Sequence, residues 1–335
     1  MCGLSRNFAR LLLRLSFCLA LGVPAPVQAS VPLELVGEVK RPPNPECLSG
    51  ISPMGTNTYL CVNDRGGELW TMNFAMDPAT GMGREPTFPK KVILEGATDL
   101  EDLAVDPLLP DTVWACDETD TSICAFSIVT GSFKKKMELP PIYTNTVPNL
   151  SIEAMTISPD GRSLWFCNEE ALSCDGNKSS AKAGSRVRLT QMIRSSAAEP
   201  WQFANMWVYE TDPVGAHRIM GKSLSGVSGL AVTPNGSLLV LEREFSGIPF
   251  PRFRCRVYEI NPLTEKGIYG LADTPLPRDP PLLPKTLVFD LLTGMSMYEG
   301  ICLGPRLANG VQTYILIADG GDVAQETLLV LREVR

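Results

Sequence analysis

Apolar and polar positions alternate along most of this chain in short runs, and the runs come in pairs. LSGIS is followed by a turn and YLCVND, LEDLAV by VWACDE, IEAMTI by LWFCNE, VSGLAV by LLVLER, and YEGICL by YILIAD. In each copy a small or acidic residue opens a first apolar strand, and an acid stands at the end of the second. The copies begin at Leu48, Leu100, Ile152, Val227 and Tyr298, at intervals of 52, 52, 75 and 71 residues. Between copies lie further alternating segments, such as ELWTMNF and KVILEG, then ICAFSIV and FKKKMEL, which supply a third and a fourth strand. A recurring unit of four short strands is a propeller blade. The turns agree, because ISPDGRS and VTPNGS put Pro, Asp or Asn, and Gly between strands one and two, where a positive φ is wanted.

The pattern predicts an all-β fold, a β-propeller of five blades occupying residues 30–335 as a single domain. A sixth blade would be counted if the segment from Arg186 to Lys222, with VRLTQMI and NMWVYE, held a degenerate copy. After the fifth copy only TLLVLREV remains, whereas LELVGEV precedes the first. Joining these N- and C-terminal strands in the last blade closes the ring and removes exposed sheet edges. Two stacked all-β domains would also give evenly spaced short strands, but would not return an acid to the same place in each copy.

The first residues add a compartment. Arg6, Arg10 and Arg14 surround an apolar stretch that ends in APVQAS, which reads as a signal peptide over residues 1–29 with cleavage near Ala29. The stretch is short for a membrane span, and no second one approaches 18 apolar residues. An exported protein, periplasmic or extracellular, with no membrane anchor is expected, as is a monomer. The leader carries three of the 30 basic residues and none of the 37 acids, which leaves a net charge of −10 and excludes nucleic acid as a natural partner. Eight Cys remain after the leader. In an exported chain they suggest disulfides, and the spacing of Cys116 to Cys124 and of Cys167 to Cys174 suits closure across a turn between neighbouring strands. Zinc is disfavoured, since there is no CxxC and His217 is the only His.

Because the first strand of each blade lines the channel, equivalent positions form rings. The inner ring is Ser49, Glu101, Glu153, Ser228 and Glu299. A second, at the end of strand two, is Asp64, Glu118, Glu169, Glu242 and Asp319, with Asp117 and Asn168 beside it. Carboxylates gathered at one mouth repel. At ~6 Å and an effective dielectric of ~20 each ionised pair costs roughly 3 kcal/mol. Raised pKa values, Arg partners such as Arg65, Arg243 and Arg306, or a divalent cation with hard oxygen ligands would offset this. Alternatively, the acids serve neighbouring loops and hold the ring without any ligand.

Other chemistry fits poorly. A Ser-His-Asp arrangement would have to use His217 at a blade edge, GVSGLAV is a repeat strand and not a GxSxG elbow, and DGG at Asp319 lacks the Lys and helix of a phosphate loop. The run Lys134 to Lys136 reads as the solvated face of an outer strand, and Asn149, Asn177 and Asn235 are sequons.

The strings DLEDLAVDP, NLSIEAMTISPDGRSLWFCNEEAL, SGLAVTPNGSLLVLEREF and MYEGICLGPRLANG resemble the exported phytase-like family, also described as esterase-like activity of phytase. The resemblance covers nearly all of the chain after the leader, at Asp64 and Arg65, Glu101, Glu153, Glu169, Glu242 and Arg243, and Glu299. It departs at CDETD, where members more often carry an Asp-Glu-Gly turn, and in its many Cys. The resemblance implies an exported propeller acting on phosphate or other esters.

Ring and resemblance together give a first expectation, a metal-assisted phosphoester hydrolase. Glu101, Glu153 and Glu299 hold a divalent cation, with Ca²⁺ the first choice. Arg65 and Arg243, with Asp64 and Asp319, receive the phosphate ester, and Glu169 or Glu242 orients water. A non-enzymatic propeller binding a protein, glycan or cell-wall ligand is the second reading, and a lactonase or carboxyl esterase the third.

Overall fold

The computed structural model describes residues 30–215, 220–248, 252–320 and 325–334; the expected leader and His217 lie outside the described residues. The chain opens with β1 (Leu33–Lys40) and then builds blades in order. Blade one is β2 (Leu48–Gly55), β3 (Thr58–Asn63), β4 (Glu68–Asn73) and β5 (Thr87–Ile93). Blade two is β6 (Leu100–Val105), β7 (Thr112–Asp117), β8 (Ser122–Ser127) and β9 (Phe133–Lys136). Blade three is β10 (Ile152–Ile157), β11 (Ser163–Asn168), β12 (Arg186–Ile193) and β13 (Gln202–Glu210). Blade four is β14 (Met220–Val232), β15 (Leu238–Ile248), β16 (Arg252–Ile260) and β17 (Thr286–Gly294). Blade five is β18 (Met297–Leu303), β19 (Thr313–Asp319) and β20 (Thr327–Glu333), with β1 as its outer strand.

The count is therefore five. The segment that could have held a sixth blade supplies β12 and β13. The inner strands β2, β6, β10, β14 and β18 pack in that order and return to β2. Closure is as expected: β1 runs antiparallel to β20, with Leu33 opposite Glu333 and Lys40 opposite Thr327. Among the described residues no helix is long and apolar enough to cross a membrane.

Each seam between blades has its own apolar cluster, because both faces of a blade are covered. In β11, Leu164 and Phe166 join Trp114 and Ile123 of blade two, whereas Trp165 and Cys167 join Val227 and Val240 of blade four. That is why strand two of each copy reads as a near-continuous apolar run and not as a strict alternation. At the innermost strands the seams close further. A Cβ on Gly50 would lie 2.7 Å from Asp102 Cα, one on Gly229 2.8 Å from Glu299 O, and one on Gly300 2.8 Å from Ser49 O. Glycine at this repeat position lets neighbouring inner strands abut, which keeps the central space small.

The two-faced blade also overturns the expected disulfides; all eight cysteines described are free. In β7 and β8, Cys116 faces Ile123 and Ala115 faces Cys124, so the two thiols point to opposite faces. Cys116 belongs to the seam between blades two and three, while Cys124 packs on the one between blades one and two. Cys167 and Cys174 are likewise divided between two seams. These thiols act as small apolar side chains, and burial pushes that of Cys61 up to about 12.

The long connection between β16 and β17 folds back over blade three, where Ile268 N donates to Met206 O at 2.7 Å and Leu283 N to Val208 O at 2.8 Å. It is pinned by Arg188, fully buried, which meets Asp175 at 2.6 and 2.8 Å and donates to Leu271 O at 2.6 Å and Thr274 O at 2.9 Å. Removing one partner strands the other charge in the interior. We expect Arg188→Met to lower unfolding free energy by about 3–5 kcal/mol, and the double change Arg188→Met with Asp175→Leu to lower it less, in urea titrations. A single change within ~0.5 kcal/mol of wild type would contradict this role.

Candidate functional site

One end of the channel is an acidic pit of about 180 Å³. Its inner ring is made by a device repeated in every blade. The pairing of strands one and two skips a residue between Leu48 and Gly50, Ile152 and Ala154, Val227 and Gly229, and Tyr298 and Gly300, and skips two between Leu100 and Leu103. Ser49, Glu153, Ser228 and Glu299 are thus the extra residues of β-bulges, and in blade two Glu101 and Asp102 together stand opposite Cys116, again one residue in excess. A bulge re-aims a side chain, and here Glu101, Glu153 and Glu299 reach the pit. Ser49 instead donates to Leu100 O of the next blade at 2.6 Å. Asp102, buried beneath Glu101, accepts from Leu103 N and Met155 N, each at 2.8 Å, and stitches blades two and three.

The second ring differs from expectation on blade four. Strand register places Glu242 opposite Val227, as Asn63 is opposite Leu48 and Asn168 opposite Ile152. The residue equivalent to Asp64, Glu118, Glu169 and Asp319 is therefore Arg243, and it is Arg243 that lines the pit. Glu242 lies in the seam between blades three and four, accepting from Tyr209 Oη at 2.6 Å, Lys285 Nζ at 2.7 Å and Asp212 N at 3.0 Å. The structure does not bring it to the other candidate residues.

Arg243, 14% exposed, gathers three carboxylates. Its Nη2 lies 2.9 Å from Glu153 Oε1 and 2.8 Å from Glu169 Oε1, and its Nη1 bonds Glu299, while its buried Nε has no acceptor. Burial alone would lower the guanidinium pKa, but Glu169, Glu153 and Glu101 outweigh it and raise it. Two of the three expected cation ligands, Glu153 and Glu299, are thus held by an arginine.

A different trio has room for an ion. One carboxylate oxygen each from Asp99, Glu101 and Glu118 lies within 4.8 Å of the others. Glu118 is fixed by accepting from Ser151 N at 2.6 Å, while Asp117 serves the turn, accepting from Thr98 N at 2.8 Å and Thr119 N at 3.0 Å. Glu101 is 8% exposed and makes no hydrogen bond or ion pair among the described residues. Three hard oxygen donors in mutual reach fit Ca²⁺ or Mg²⁺. Asp99 and Glu118 were not in the expected metal set. The signal was in the string DLE, which sets a second acid two residues before Glu101.

The remaining expected residues lie on the blade one and blade five side. Asp64 and Asp319 line the pit; Arg65 stands beside Asp64 at 3.8 Å and is exposed. Arg306 is beyond the other end of β18, where it donates to Gly310 O at 3.0 Å. The opposite end of the channel is a cavity of about 190 Å³ lined mainly by aliphatic side chains such as Ile51, Leu103 and Ile157.

Crowding shows in the protonation of the pit. Burial, then Glu118, raises Glu101 well above the ordinary carboxylate range, and burial, then Glu101 and Glu169, does the same to Glu153 against the pull of Arg243. Burial pushes Glu118 up to about 7, and burial with Asp319 pushes Asp64 up to about 6.

Residues 46–320 match the family described as Phytase-like, esterase-like activity of phytase. No curated protein matches the chain. Among solved structures, it is similar to the hydrazine synthase of Kuenenia stuttgartiensis at 11% identity and a TM-score of 0.37, over 88% of this chain and 58% of that one. It is also similar to the glutaminyl cyclase of Myxococcus xanthus at 10% and 0.42, over 90% and 97% of the two chains. The virginiamycin B lyase of Staphylococcus aureus gives 11% and 0.36, over 90% and 100%. The chain thus spans less than two thirds of the first of these, and the likeness is too loose to carry chemistry from any of them.

Carboxyls whose pKa is raised by folding bind protons more tightly in the folded chain, so they favour folding below their ordinary values of 3.8 for Asp and 4.5 for Glu and lose that contribution as pH rises through about 6 and 7. We expect the melting temperature in chelator to fall between pH 5 and pH 8, and saturating Ca²⁺ to remove the slope. Glu101→Gln should raise the chelated melting temperature at pH 8. A flat chelated profile would contradict the protonation described.

Proposed function

We propose that this chain, which belongs to the phytase-like family, is a divalent-cation-dependent hydrolase of phosphate esters that reacts them at the acidic end of its channel. One observation carries the reading: the carboxyl of Glu101 makes no hydrogen bond or ion pair among the described residues and lies within reach of Asp99 and Glu118. Those three residues would hold the ion. Bound there, it would polarise a phosphoryl oxygen and lower the pKa of water.

The chain's own residues do the rest. Arg243 holds Glu153, Glu169 and Glu299 in place and sets a fixed positive charge beside the ion. Glu169 gives one oxygen to Arg243 and keeps the other to orient water. At the rim, Arg65 next to Asp64 would meet the incoming phosphate, since a guanidinium matches phosphate oxygens. A pit of about 180 Å³ suits a phosphoryl group and leaves the body of the ester outside. With the leader expected over residues 1–29, the substrate would be an exported or environmental ester.

Phosphate release from inositol phosphates and an aryl phosphate, with Ca²⁺ and with chelator, tests this. We expect release only with the cation, and a loss of at least ~10–100-fold in kcat/KM for Glu101→Gln, the range seen when even an outer partner of a metal ligand is removed. No release under any metal condition would sink the reading. Release from aryl acetate or a lactone instead would move the reaction to carboxyl esters.

A further inference from the structure

We propose that Arg243 is a built-in cation standing in a second ion position of the pit, so that the protein takes up one divalent ion fewer than its carboxylates could hold. The inference rests on the cation reading of Asp99, Glu101 and Glu118.

The repeat makes the substitution visible. At five equivalent positions the chain carries Asp64, Glu118, Glu169, Arg243 and Asp319, so a cation replaces the acid on blade four alone. From there the side chain reaches oxygens of Glu153 and Glu169 on blade three and Glu299 on blade five. An arginine recognising one carboxylate lays both arms of its fork on it. Arg243 instead spreads its two Nη atoms over three residues and leaves its buried Nε without an acceptor. Oxygens of three carboxylates converging on one positive centre are the donor set of a hard cation. The neighbouring trio around Glu101 shows the same donor set with no internal cation bonded to it among the described residues.

The consequence is a pit in two halves. The half on blades three to five carries a fixed positive charge, whatever the ion concentration. The half on blade two fills and empties. Sites with two metals supply both positive charges from solution; here one would be covalent, so uptake of a single ion would complete the site.

Calcium alone is the probe, counted by native mass spectrometry and equilibrium dialysis on the full mature chain. Arg243→Met should bind one Ca²⁺ more than wild type. Arg243→Lys should match wild type, and Arg243→Met combined with Glu299→Gln should lose the added ion. A folded Arg243→Met with an unchanged count overturns the proposal. If that variant does not fold in chelator, recovery of its circular dichroism and melting transition on adding Ca²⁺ supports it, and failure to recover overturns it. Should wild type bind no ion, the cation reading of Glu101 fails by itself, while a gain of one by Arg243→Met still supports the role given to Arg243.

Discussion

Repulsion among carboxyls at one small mouth is the constraint around which this molecule is arranged. Asp64, Asp99, Glu101, Glu118, Glu153, Glu169, Glu299 and Asp319 share a space of about 180 Å³ with Arg243 as the lining cation. At roughly 3 kcal/mol for each close ionised pair, such a group would drive the blades apart if nothing opposed it. Three kinds of opposition are present. Arg243 joins carboxylates from blades three and five. Raised pKa values keep part of the charge off. The ring itself resists, because β1 pairs with β20 and no blade can swing outward without breaking that sheet.

The same constraint explains why the seams are so apolar and tight. Each blade contributes alternate side chains to the cluster on either side, so separating two blades exposes a whole cluster and not a few contacts. Glycine at positions 50, 229 and 300 lets the inner strands touch, and Asp102 takes the equivalent place in blade two and bonds across to Met155 N. Charge is concentrated at one end of a bore whose other end is aliphatic. The bulges connect these facts. They add one extra residue to each inner strand, which lets a side chain depart from the pleat while the rest of the strand remains buried on both faces.

Much of this was legible from the chain alone, for a physical reason: a repeated blade must reuse its turns, its apolar runs and its ring positions, so periodicity exposes them. Five blades, their closure and the inner ring at Glu101, Glu153 and Glu299 follow from that. What misled was residue identity where only register decides. Matching acid to acid placed Glu242 in the second ring, whereas pairing with Val227 puts Arg243 there and Glu242 against Tyr209 and Lys285. The cysteines misled in the same way. Seven or eight residues of separation suits a cross-turn bridge in distance, but the face on which each thiol lies depends on pairing that no spacing reveals. Asp99 precedes the repeat strand and so falls outside the repeat, and only the bulge that turns Glu101 brings the two within reach.

Blade four is the exception that gives the pit a direction. Its two ring positions hold Ser228 and Arg243, where blades two and three hold Glu101 with Glu118 and Glu153 with Glu169. The field across the pit is therefore not symmetric about the propeller axis: it runs from a guanidinium anchored on blade four to an acid trio on the blade two side. An ion held by that trio would add a second positive centre beside the guanidinium, and an anionic group entering the pit would meet both. A closed ring of identical repeats would give only a negative well on the axis, which repels such a group. One change of residue in one repeat turns that well into a polar cleft, so the chemistry open to this propeller depends less on its blades than on the place where the repeat fails.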